Sequence, residues 1–241
     1  MRVDPHPAFV LHRRAYRETS LLVEALSSLH GRVGLVARGA RRARSPWRTA
    51  FEPFRPVLVA WGGRGDLGTV SSAEPQADLI VLGATALAAG FYLNELVMRL
   101  TQRHDPHPEL FQRYAIAVAA LASGQEVDIV LRLFEKSLLE AIGYAMTLDR
   151  EAATGEAVVA EERYFYQADV GPLSLRPTAA PCMPLAGTTL LDLARERFDS
   201  TRSRREARLL LRFLLRPHLG ERPIASRALL PRGDDVMADR G

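Results

Sequence analysis

Short apolar runs broken by turn residues fill the first third of the chain. Residues 8–14, 19–27, 31–39, 52–61 and 66–73 are predicted strands. In the third, Val33, Leu35 and Ala37 alternate with Gly34, Val36 and Arg38, the period of a strand with one buried face. His30-Gly31 marks the turn before it, and Gly62-Gly63-Arg64-Gly65 the turn between the last two strands. Pro53 and Pro56 confine the start of the fourth strand to an edge or a bulge. Five short strands, with one longer irregular link between the third and fourth, suit a small closed barrel such as an OB-fold.

After Glu74-Pro75-Gln76 the period changes to that of helices. Helices are predicted over about 79–102, 109–122 and 127–143, with the loop His104–Pro108 between the first two. In the third, Leu131, Phe134, Leu138 and Ile142 define a core face. Residues 149–186 read as irregular, with a possible small hairpin of 164–166 and 172–176, and Pro177, Pro181 and Pro184 argue against helix there. Helices return over about 189–197 and 204–215, the latter ended by Pro217, and residues 231–241 read as a loose C-terminal tail. The expected fold class is α+β: an OB-fold domain over 1–76, then a mainly helical domain over 77–230 with the irregular insertion 149–186.

Charge changes the picture of the barrel. The net charge is only +4, but residues 1–65 carry +8, residues 66–200 carry −9 and residues 201–241 carry +5. Both ends are basic, a distribution suited to a polyanion-binding surface. The basic charge concentrates in the third strand and the link after it, where Arg32, Arg38, Arg41, Arg42, Arg44 and Arg48 occur without an acid and Trp47 stands beside the last of them. This stretch reads either as a grip on a nucleic-acid backbone, with Trp47 stacking on a base, or as a solvated basic loop. Phe51 and Phe54 read as core or barrel-mouth packing, and Trp61 as either core or surface. In the basic C-terminal region, Arg204, Arg205, Arg216 and Arg222 extend the candidate phosphate-binding set. Lys136 is the only lysine, so an arginine here also stands wherever a lysine would serve.

Other chemistry is sparse. A single cysteine, Cys182, excludes an intrachain disulfide and a cysteine-based zinc site. No signal-peptide core opens the chain, and the longest uncharged apolar run, 79–93, falls short of a membrane span, so a soluble cytoplasmic protein with no membrane contact is expected. GRGDLG at 63–68 matches a dinucleotide fingerprint only literally, because the segment after it, TVSSAEP, is extended and ends at a proline. No GxxxxGK[ST] phosphate loop and no evident catalytic constellation occurs. His104, Asp105, His107 and Glu109 form the one dense set of possible metal ligands, set against the simpler reading of a polar interhelical loop. On the third helix, Arg132 and Leu139 share a face; Arg132 either holds a peptide carboxylate or pairs with Glu135 or Glu140.

Six segments in family order give the chain a resemblance. They are AFVLHRRAYRETSLLVEAL from residue 8, GRVGLVARGARRARS from 31, WGGRGDLGTVSSAE from 61, YLNELVMRL from 92, LRLFEKSLLEAIGY from 131 and LRPHLGERPIASRALL from 215. Together they resemble the RecO family of bacterial recombination mediators. That resemblance implies an OB-fold followed by a helical domain, no catalytic centre and no cofactor. It implies partners: single- and double-stranded DNA whose complementary strands are annealed, the acidic C-terminal tail of the single-stranded DNA-binding protein SSB, RecR, and through it RecA. Carried over by position, Arg132, Leu139 and Ile142 fall where the SSB-tail pocket would lie. Many members hold a four-cysteine zinc module in the region of 149–186; with Cys182 alone this chain resembles the zinc-free branch, and no metal is expected. Two other readings stand beside this one. One is a helical scaffold protein with incidental RNA or ribosome binding; the other is a metal-dependent enzyme using residues 104–109.

Overall fold

A computed structural model describes residues 2–47, 49–63, 65–77, 80–178 and 180–230. The expected tail 231–241 lies outside the described residues. Five strands come first: β1 (Arg2–Tyr16), β2 (Ser20–Ser27), β3 (Gly31–Ala37), β4 (Pro56–Gly62) and β5 (Leu67–Pro75). They close into a barrel in the order β1-β2-β3-β5-β4, the OB-fold arrangement. Closure depends on the length of β1. Its first half pairs antiparallel with β4 and its second half with β2, so one strand serves two edges. The β3–β5 seam is short and parallel, from Gly34–Leu67 to Val36–Thr69. β1 begins six residues before the predicted strand, through Pro5 and Pro7; a register shift between Val3 and His6 accommodates Pro5. The barrel interior is aliphatic, with Val10, Val23, Val33, Leu35, Val59 and Val70 at its centre.

Three helices follow: α1 (Ala84–Leu100), α2 (Pro108–Ala122) and α3 (Val127–Ala141). Proline at the first position of α2 costs no hydrogen bond, because that N–H has no helical partner. Gly90 stays inside α1 for a packing reason: the Phe54 ring approaches to 2.7 Å of where a Cβ would stand. Then come β6 (Arg163–Gln167), β7 (Gly171–Leu173), β8 (Cys182–Ala186), α4 (Gly187–Ala194) and α5 (Thr201–Leu219). Strands give way to helices between Pro75 and Ala84. Packing divides the chain elsewhere: α1, α2 and the 3-10 turn at Ser226–Leu229 belong with the barrel, while residues 125–223 form a second compact unit.

Two local expectations are corrected. Residues 149–186 hold a three-stranded sheet, β7-β6-β8, where the sequence suggests at most one hairpin. Pro184 is tolerated because β8 is an edge strand. Pro217 does not end the last helix: α5 continues to Leu219 and stops at Gly220, whose φ of 65° suits glycine. A proline in the final turn removes only one of the helix's backbone bonds.

The second unit is fastened by carboxylates. Glu151 accepts hydrogen bonds from the backbone and hydroxyl of Thr154 at 2.8 and 2.6 Å, and from those of Ser174 at 3.1 and 3.3 Å. It thereby ties the loop after α3 to the end of β7. Glu206 on α5 likewise accepts from the Ala186 backbone at 2.9 Å and the Thr189 hydroxyl at 2.7 Å, fixing the start of α4. Burial opposes the Glu206 charge, but these bonds and Arg202 outweigh it and hold the carboxyl below its ordinary value.

Candidate nucleic-acid interface

The β3–β4 link is a sequence of turns pinned at several points rather than a free loop. Ala40, Ala50, Phe51 and Phe54 are buried, so the link is folded back onto the barrel between its exposed arginines. The Arg41 backbone donates to Thr19 O at 2.9 Å. Its guanidinium donates to the Glu18 carbonyl at 3.2 Å and contacts that of Arg17 at 3.4 Å. An ion pair of 2.6 Å between Arg13 on β1 and Glu52 holds the far end. The link is therefore stitched to the β1–β2 turn, and its exposed side chains have a fixed base.

Within this setting the arginines separate into two groups. Arg38, Arg42 and Arg44 are exposed and have no ion-pair partner among the described residues. Arg41 is exposed but spends its donors on the turn carbonyls. Arg32 does not belong to the exposed group. It is half-buried, donating to Glu24 at 3.1 Å and to Thr101 O at 3.0 Å, while Arg103 closes on the other oxygen of Glu24. Its place on β3 points it at a neighbouring strand's carboxylate rather than at solvent. Arg48 lies outside the described residues. Trp47 is half-buried and packs against the barrel cluster, so the indole expected to stack on a base serves the core in part. Phe51 and Phe54 are core, as is Trp61, whose ring centroid lies 4.8 Å from that of His6.

On α5, Arg205, Arg212 and Arg216 are exposed without a partner among the described residues, whereas Arg204 is closed onto Glu126. Arg222 is exposed and engaged in an interaction of its own. Arg212 is not among the residues singled out from the sequence; its spacing of seven from Arg205, which puts both on one face, is the signal that identifies it.

Arg132 is more than nine-tenths buried and is ion-paired within its own helix. It lies 3.2 Å from Asp128 and 2.8 Å from Glu135, one turn away on either side. Leu139 is buried at the rim of a cleft of about 110 Å³ lined also by Tyr144, Met146, Tyr166, Leu214 and His218. Arg132 does not line that cleft, and Ile142, half-buried at the end of α3, does not either. GRGDLG joins the antiparallel strands β4 and β5, which is no βαβ setting. His107 pairs with Asp105 at 3.2 Å, Glu109 sits in the first turn of α2, and no three metal-capable side chains gather among the described residues.

Two family models match the chain: "Recombination protein O N terminal" over residues 1–77 and "Recombination protein O C terminal" over 83–228. The chain belongs to the recombination protein O family. Among its relatives, the DNA repair protein RecO of Methylococcus capsulatus is 47% identical over 222 residues, covering 92% of this chain and 90% of the relative. The DNA repair protein RecO of Nitrosococcus oceani is 45% identical over 230 residues, covering 95% and 94%. That of Nitrosospira multiformis is 40% identical with 95% of both chains covered. As a RecO-family chain it carries its exposed arginines in both matched regions, on the β3–β4 link and on α5. Among the described residues no helix is long and apolar enough to cross a membrane.

Proposed function

We propose that this chain is a non-enzymatic recombination mediator in DNA repair. It binds single- and double-stranded DNA through phosphates, anneals complementary strands, and works with RecR to help load RecA onto SSB-coated DNA. The observation that carries the reading is the pinned β3–β4 link with Arg38, Arg42 and Arg44 exposed and unpaired. A guanidinium on a fixed base, with no carboxylate to leave behind, gains fully from meeting a phosphate. Arg205, Arg212 and Arg216 offer the same chemistry on α5. None of these contacts reads sequence, as annealing of arbitrary strands demands. Family membership and the relatives' description as DNA repair proteins support the same reading.

The acidic SSB tail belongs to the same proposal. Arg132 holds two carboxylates of its own helix, so an incoming carboxylate would have to displace Asp128 or Glu135. The tail is therefore assigned to the cleft beside Leu139 rather than to Arg132 directly, with Ile142 at the end of the same helix and Arg132 shaping α3 from within.

The test is salt dependence. The logarithm of the binding constant for a single-stranded oligonucleotide should fall linearly with the logarithm of salt concentration, by roughly 0.7 per phosphate contact. Replacing Arg38, Arg42 and Arg44 together by alanine should flatten the slope by about 2. An unchanged slope, or no binding at low salt, refutes the assignment.

A further inference from the structure

Base stacking on Trp47 is weakened by its packing against the barrel, yet the same end of the barrel carries another flat surface. Tyr16 is the last residue of β1 and pairs with Ser20. Arg38 is the first residue after β3, next to Ala37, the partner of Leu21, so Tyr16 at the end of β1 and Arg38 just past the end of β3 lie at the same end of the barrel, on either side of the start of β2. Arg17, exposed in the β1–β2 turn, places its guanidinium carbon 5.3 Å from the Tyr16 ring centroid, within cation–π reach. Arg17 has a φ of 52°, a left-handed conformation that glycine or asparagine would adopt more readily. Its own carbonyl and that of Glu18 are engaged by Arg41. The turn is thus fastened in a strained form by the very loop that carries the free arginines. A planar cation against an aromatic ring, at the barrel end that also carries Arg38, is a surface for a flat uncharged group accompanied by phosphates. Glu18 is the acid in this turn. Its backbone carbonyl is bound by Arg41 and the residue itself is exposed.

We infer that the Tyr16–Arg17 step is a stacking platform for an unpaired nucleobase, next to the phosphate-binding arginines of the β3–β4 link. The inference rests on the DNA-binding reading and gives it a base contact. It predicts discrimination by strand state: a paired base keeps its faces within the duplex, whereas a single strand presents one to the guanidinium plane. Stacking of this kind tolerates any base, consistent with a surface that reads no sequence.

The experiment compares two oligonucleotides of equal length and phosphate number, one of thymidines and one with abasic sites throughout its central segment. The readout is the ratio of their affinities at one salt concentration. Arg17→Lys keeps the charge but removes the stacking plane. Tyr16→Leu removes the ring, while Tyr16→Phe keeps it and serves as the folding control, each checked by thermal denaturation. The ratio of thymidine to abasic affinity should fall about fivefold or more in Arg17→Lys and Tyr16→Leu, and stay at the wild-type value in Tyr16→Phe. A ratio unchanged in Arg17→Lys or in a folded Tyr16→Leu overturns the platform while leaving phosphate binding standing. Wild-type protein that binds neither oligonucleotide at low salt overturns the DNA-binding reading itself.

Discussion

Asn94 is the residue whose loss should most clearly expose how the barrel is held. β1 carries an extra residue at Leu11: Val10 pairs with Ala25 and His12 with Glu24, leaving Leu11 out of the β2 ladder. Its carbonyl accepts the Asn94 side-chain amide at 2.8 Å, and the Asn94 carbonyl oxygen accepts the Tyr114 hydroxyl at 2.6 Å. Asn94 is 1% exposed and Tyr114 fully buried. Burial drives the Tyr114 phenol far above its usual range, so it remains a donor at every pH the protein meets. Asn94→Leu keeps the branched shape in a somewhat larger side chain but strips the Leu11 carbonyl and the Tyr114 hydroxyl of their partner, at a cost of about 1–3 kcal/mol for each group. Tyr114→Phe takes the donor from a buried amide oxygen and costs a similar ~1–3 kcal/mol. Because both changes break one chain of bonds, the double variant should lose less than the two singles together, with a coupling of about 1 kcal/mol or more. Urea denaturation followed by tryptophan fluorescence measures this directly, since both tryptophans, Trp47 and Trp61, report on the barrel. Additivity within about 0.5 kcal/mol would refute a connected network.

Two further predictions concern the second unit. The Glu151 carboxyl is lowered from 4.5 to about 2, chiefly by the Thr154 hydroxyl and then by the Ser174 N–H. A depressed carboxylate stabilises the fold above its unfolded value, so protection of the 149–174 backbone should be full above about pH 4.5 and fade as the pH falls towards 2. Hydrogen exchange across that range should show the fade in wild type and not in Glu151→Gln, and identical profiles would remove the carboxylate from the account. Arg132→Met should destabilise α3 by about 3 kcal/mol, because it takes the paired guanidinium away from the buried Glu135 carboxylate, and adding Glu135→Leu should restore most of the loss. Chemical denaturation followed by helical circular dichroism tests this, and an undiminished single variant would mean that Arg132 is not committed internally.

The barrel was legible because its punctuation is local. His30-Gly31, Pro53 and the glycines from 62 to 65 bracket the strands without reference to the rest of the chain. The helices were legible to within a few residues for the same reason; α1 begins at Ala84 rather than near 79 because Gly83 stands where the helix starts. What escaped depended on neighbours far along the chain. Pro184 is compatible with a strand because, among the described residues, β8 is an edge strand with β6 as its one neighbour. Trp47 reads as a stacking aromatic from its polar sequence neighbours, but its neighbour in space is the barrel core. The Tyr16–Arg17 contact was hidden because neither the turn conformation nor the capping by Arg41 leaves a sequence signal.

The same difficulty governs the arginines, and it has a physical resolution. Sequence shows where the cations are; the acids decide which of them are available. Glu52 takes Arg13, Glu24 is shared by Arg32 and Arg103, Glu126 takes Arg204, Glu206 takes Arg202, and Asp128 and Glu135 take Arg132. An arginine already paired must surrender a carboxylate before it meets a phosphate, and the exchange of one anion for another releases little counterion. The slope of affinity against salt therefore counts unpaired arginines rather than arginines. On the proposed DNA-binding reading, the +8 of residues 1–65 overstates what the barrel would contribute, whereas Arg38, Arg42 and Arg44, in a stretch free of acids, would contribute in full. Absence of acidic residues from 32 to 48 is thus a more informative signal than the density of basic ones. If that stretch binds DNA as proposed, an acid introduced there, such as Ala43→Glu, should weaken oligonucleotide binding both by its own repulsion and by neutralising a neighbour, a loss the same salt titration would measure.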